Sequence, residues 1–181
     1  MKTPYYFLFA VALAMLWMAC GPATSEAEAE ITRLEGQLES MSSDSSISPF
    51  SAEFQETVQA LVAAYEDYIA ANPQQPQTAA YLLNAARYHE SYLMHPQKAI
   101  AHYERYRELF PDGARAGDAL FNIAWIYHNS LKDTQMAKTY YEAFLAQYPG
   151  HKLEKSARFE LEHLGMSDEE LFESLSKDSL P

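Results

Sequence analysis

Few residues in this sequence are equipped for chemistry: one cysteine, Cys20, and six histidines. A single thiol excludes any disulfide within the chain. The histidines form no His-Glu-x-x-His pattern and no glycine-rich phosphate loop occurs, so the local signatures of zinc hydrolysis and nucleotide binding are missing. His89 falls beside alanines on an apolar stripe, which predicts a packed core histidine. His128 and His163 fall on the opposite side of their helices, 35 positions apart, a poor arrangement for a shared metal. Asp168, Glu169 and Glu170 adjoin at the start of a helical segment, where the helix dipole favours negative charge without any acid or base role. No catalytic residue, metal or cofactor is expected.

What the sequence does carry is recurrence. Tyr65, Tyr103 and Tyr141 each open a Tyr-Glu-x-aromatic segment, stand 38 residues apart, and are followed eight residues later by Pro73, Pro111 and Pro149. Asn84 and Asn122, Ala86 and Ala124, and Ala99 and Ala137 keep the same interval. Ala99, Tyr103, Tyr106 and Phe110 are spaced for one helix face, as are Ala137, Tyr141, Phe144 and Tyr148. Proline lacks an amide hydrogen and restricts the residue before it, so each of these helices must stop there. Upstream, Leu82, Ala85, Ala86 and His89 form a stripe matched by Leu120, Ile123, Ala124 and Tyr127. Each unit is therefore a pair of antiparallel helices joined by a short turn, with Pro96 starting one second helix and Asp133 capping the other. The small alanines fit close backbone approaches, and the aromatic residues fill the gap to the next pair.

The pattern, over about residues 53–165, resembles the tetratricopeptide repeat. The resemblance implies an all-α fold, a short right-handed α-solenoid of tetratricopeptide-like antiparallel helix pairs, in which neighbouring pairs stack because one pair cannot bury its own apolar face. The chain departs from that family in its 38-residue period, against about 34, and in using Ala86 and Ala124 where a glycine is usual. The Tyr-Glu-x-aromatic…Pro ending is similar to repeats in two envelope families, the periplasmic coordinator associated with the Tol-Pal system and the helical lipoprotein of the outer-membrane β-barrel assembly machine. Ser51 to Ala71 is expected as one long helix burying Phe54, Val58, Leu61, Val62, Tyr65 and Ile69. Leu153 to Leu164 is expected as a last first-type helix stopped by Gly165. Ser167 and Glu170 have the form of a capping box for a closing helix.

Stacked pairs curve and line a concave groove with the outer face of their first helices. That face carries Leu83, Asn84, Arg87 and Glu90 in one copy and Phe121, Asn122, Trp125 and His128 in the next, with Phe159, Glu160 and His163 at matching points of the last helix. Asn84, Arg87, Asn122, Trp125 and His128 are the candidate partner-binding residues. The resemblance implies an extended peptide or a partner helix as ligand. For Trp125 and Phe121 two readings stand: a binding hot spot, or core packing under the neighbouring helix.

Ahead of the repeats, Lys2 precedes an unbroken apolar run of 15 residues, Tyr5 to Ala19, which ends at Cys20. That run suits the core of a signal peptide better than a bilayer span of about 20 residues. Leu16, Ala19 and Cys20 resemble the lipobox of bacterial lipoproteins, although Trp17 takes the position three before the cysteine where an aliphatic residue is usual. The resemblance implies that the Cys20 thiol is acylated and becomes the N-terminus of a membrane-anchored protein, with more than one acyl chain for firm attachment. Residues 21–49 are rich in Ser, Glu, Ala and Asp and read as a tether. Within it Ile31, Leu34, Leu38 and Met41 give one apolar side to a short helix, transient or docked on the domain in preference to a coiled-coil stalk. The expected organisation is thus residues 1–19 signal peptide, 20–49 acylated cysteine and linker, 50–165 repeat domain, and 166–181 closing helix and tail. The net charge of −12 repels phosphate backbones and excludes nucleic acid as a partner. These features together lead to a lipid-anchored adaptor of the bacterial cell envelope, at the outer membrane facing the periplasm, that binds an envelope protein or peptide. The competing expectation is a permanent structural subunit of a larger membrane complex.

Overall fold

The computed structural model describes residues 22–178. The apolar run of residues 5–19 and Cys20 lie outside the described residues. Among those described, eight helices and no strands occur: α1 Pro22–Ser43, α2 Ala52–Ala71, α3 Pro76–Ser91, α4 Pro96–Leu109, α5 Ala116–Asn129, α6 Thr134–Gln147, α7 Glu154–Glu162 and α8 Asp168–Asp178. None of them is long and apolar enough to cross a membrane. The chain divides into two compact units at Pro73 and Gln74.

The first unit pairs α1 with α2. Most of the segment expected to be a tether is a continuous helix of 22 residues. The reason lies in placement. The Ser, Glu and Ala content is low in apolar residues on average, yet Ile31, Leu34, Leu38 and Met41 share one side and are all buried. Burying such a stripe offsets the entropy of ordering the helix, which composition alone could not promise. Polar ties run along the same seam: the Tyr65 hydroxyl donates to Glu35 Oε1 and the Tyr68 hydroxyl to Glu28 Oε1 at 3.1 Å. Ser51 caps α2 by accepting from the Phe54 amide at 3.3 Å, and the six residues expected on its buried side are all buried. Helix α2, where the repeat domain was expected to begin, belongs to the same compact unit as α1.

The second unit holds α3 to α8. Helices α3 and α4 pair, α5 and α6 pair, α4 packs on α5 and α6 on α7, which is the stacking of tetratricopeptide-like helix pairs. Pro76 and Pro96 start α3 and α4, and Asp133 Oδ1 accepts from the Met136 amide at 3.0 Å to cap α6. The turns inside the two pairs match. Met94 and Lys132, one period apart, both take a left-handed φ, 53° and 56°. The next amides, of His95 and Asp133, donate back to the carbonyls of His89 and Tyr127, each at 2.8 Å.

Ala86, Ala99, Ala124 and Ala137 are fully buried where the paired backbones approach. His89 is buried as expected and stacks on His102, with ring centroids 5.3 Å apart and planes 11° from parallel. One period on, Tyr127 and Tyr140 repeat the stack at 5.3 Å and 20°. At the far end Gly165 takes a positive φ of 84° past α7, and Ser167 and Glu170 exchange the two hydrogen bonds of a capping box at 2.8 and 3.3 Å.

Candidate partner-binding cavity

The second unit has an open-sided cavity of about 550 Å³ between α3, α4 and α5. Helix α3 contributes Pro76, Ala79, Ala80, Leu83, Asn84 and Arg87, α4 contributes Tyr103 and Tyr106, and the start of α5 contributes Arg115, Asp118, Ala119 and Asn122. That volume lies within the range of ligand sites, about 300–1,000 Å³. The wall residues of α3 follow at three and four positions, so they share the helix face turned away from the buried stripe of Leu82, Ala85, Ala86 and His89.

The floor is held by a polar chain. Asn122 Nδ2 donates to the Tyr103 hydroxyl at 3.1 Å, and that hydroxyl donates to Glu90 Oε2 at 3.4 Å. Burial pushes the Glu90 carboxyl above its ordinary value, partly offset by the Tyr103 hydrogen bond. Burial, and after it the Glu90 charge, raises the Tyr103 phenol, so it remains a neutral donor at physiological pH. The Tyr106 hydroxyl accepts from the Arg115 amide at 3.3 Å.

Asp118 is a buried carboxylate of a kind that must be paired. Arg115 Nε bonds it from three residues back, and Lys152 Nζ lies 3.1 Å from Oδ1, with His151 Nε2 at 3.6 Å. These contacts fasten the loop before α7 to the first turn of α5. Asp118 is thus matched by Arg115 and Lys152, and Arg87 adds an exposed positive charge to the cavity lining within a chain of net charge −12.

Three of the five residues expected to bind a partner, Asn84, Arg87 and Asn122, meet in this cavity. Trp125 and His128 are not part of its lining. Trp125 is 37% exposed on α5, which separates it from the core. His128 Nδ1 lies 3.1 Å from Glu160 Oε2 and links α5 to α7. Phe121, which the sequence placed on the accessible face as one of two readings, is buried with its ring edge-on to Tyr141 and Phe144.

Sequence reasoning missed Tyr103, Tyr106, Arg115 and Asp118 as lining residues. The two tyrosines share a helix face with Ala99 and read as packing between pairs. Asp118 is one turn before Asn122, and stepping back four residues from the asparagine would have found it.

Residues 118–151 match the tetratricopeptide repeat family. That stretch, one helix pair of the chain, is similar to a single tetratricopeptide repeat. The matched stretch runs from the buried Asp118 through α5 and α6 to His151, which faces that same carboxylate. No curated protein matches the chain in sequence. Repeats of this family typically serve as non-catalytic modules that bind protein partners.

Proposed function

We propose that this protein is a membrane-anchored scaffold of a bacterial cell-envelope assembly, held to the membrane through an acylated Cys20, and that the cavity between α3, α4 and α5 grips an extended segment of an envelope protein. The observation that carries the partner-binding reading is the meeting of Asn84, Arg87 and Asn122, from two successive repeats, in one cavity of suitable volume. Support for the anchor is the sole cysteine at the end of the apolar run Tyr5–Ala19.

Both parts are open to direct test. A photo-crosslinking residue in place of the exposed cavity residue Ala80 should give a discrete protein adduct in intact cells, and the same residue in place of Lys138 on α6 should not. No adduct at position 80, or the same adducts at both positions, would refute partner binding in the cavity. Metabolic labelling with a fatty acid should mark the wild type and not Cys20→Ser; equal label on both would refute the anchor.

A further inference from the structure

The internal repeat shows in one copy what the other copy is shaped to hold. One period of 38 residues carries Leu83 to Phe121, Tyr103 to Tyr141 and Tyr106 to Phe144. In the later copy the Phe121 ring fills the space over the two aromatic residues of the second helix, with centroids 5.6 Å from Tyr141 and 5.7 Å from Phe144 and planes at 63° and 71°. That is the edge-to-face geometry favoured by the quadrupoles of aromatic rings. In the earlier copy the shorter Leu83 stands in the same position, only half-buried, and the space over Tyr103 and Tyr106 is the cavity. The fold thus builds the same socket twice and fills it from within once.

We propose that the open socket takes an aromatic side chain from outside, a phenyl ring set edge-on over Tyr103 and Tyr106, presented by an extended acidic segment of a partner protein. Charge selects the acidic character. The chain repels anions as a whole, yet this lining carries Arg87, exposed and outside any ion pair among the described residues, beside Asp118, whose charge Arg115 and Lys152 match, while the Glu90 carboxyl below is tied to the Tyr103 hydroxyl. A carboxylate flanking the inserted ring reaches the exposed Arg87 guanidinium, whose planar fork matches it. Asn122 commits its amide nitrogen to Tyr103, which leaves its Oδ1 to accept a backbone N–H of the bound segment. This inference rests on the cavity being a partner site and adds the chemistry of what enters it.

The test uses the full chain in detergent and fluorescently labelled, end-capped octapeptides of Ser and Glu with one central Phe, read by anisotropy. Saturable binding is expected, weakened at least tenfold when the Phe is replaced by Ala and again when the Glu residues are replaced by Lys. Leu83→Phe, which supplies the plug that the later copy already has, should abolish binding while the unfolding transition is kept. Arg87→Glu, at an exposed position, should weaken binding tenfold or more and remove most of its salt dependence, and it keeps the test decisive if Leu83→Phe does not fold. Absence of saturable binding, equal affinity for the Ala peptide, or affinity within twofold of wild type in both variants would overturn the proposal. If the peptides fail while crosslinking from position 80 still traps a protein, the aromatic socket falls and the partner cavity stands; if both fail, both fall.

Discussion

Single residues in the second unit are tuned by what surrounds them. Glu90 is the clearest case, because burial raises its carboxyl in the folded protein while the unfolded chain keeps the ordinary value near 4.5. The folded state therefore binds this proton more tightly, and its stability falls as pH rises from the unfolded value through the higher folded one. Glu90→Gln keeps an acceptor for the Tyr103 hydroxyl and removes the buried charge. It should be more stable than wild type at neutral pH, with the gain vanishing in acid. Urea midpoints for both proteins between about pH 4 and about pH 8 give the answer, and a pH-independent difference would contradict the assignment. Gly113 is constrained by space, since a Cβ there would lie 2.6 Å from the Tyr106 hydroxyl and 2.9 Å from the Phe110 carbonyl oxygen. The second of these atoms is backbone and cannot step aside. Gly113→Ala should cost about 1–3 kcal/mol, as overpacking does, and shift the Tyr106 hydroxyl that borders the cavity. A denaturation midpoint equal to wild type would show that the loop before α5 yields freely.

Helices in this protein are placed by alternation of small and large residues. Ala137 is fully buried at the start of α6, in one apolar cluster with Leu120, Phe121 and Ala124 of α5. Ala137→Leu adds bulk with no free space to receive it and should destabilise by about 1–3 kcal/mol. Thermal or urea unfolding measures this directly, and an unchanged midpoint would mean that α5 and α6 are further apart than described. The register of these helices was legible because the period of 38 aligns Ala with Ala and aromatic with aromatic. Helix α1 was less legible. Its apolar stripe was visible, but whether four residues at that spacing order a helix depends on a surface to receive them, and α2 supplies it. The same limit applied to Phe121, whose face could be read while its depth could not. Only the contacts of its ring with Tyr141 and Phe144 decide that it is core.

At the scale of the molecule, the cavity draws every lining residue from the unit that begins at Gln74. A chain starting there should fold with a single cooperative transition and bind the phenylalanine-containing acidic octapeptide within about threefold of the full chain, a difference below about 0.7 kcal/mol. Circular dichroism on heating and anisotropy with the same probe check the two halves of that statement. A folded fragment with no affinity would contradict the assignment of the binding surface to this unit alone.

From the sequence by itself came the helix pairs, their period, their stopping points and the burial of the alanine and aromatic stripes. Those properties are set by local periodicity and by proline, which act along the chain and need no knowledge of distant neighbours. The facing of Asn84, Arg87 and Asn122 onto one side of successive helices was legible for the same reason. The tertiary structure decided whether that side is open or closed. Leu83 and Phe121 occupy equivalent positions and differ by one ring, and that difference leaves one socket empty and fills the other. It decided as well that Asp118 is buried and held by Arg115 and Lys152, the second of which lies 34 residues away in the chain. A cavity is volume that side chains from three helices fail to occupy, so no single helix face records it.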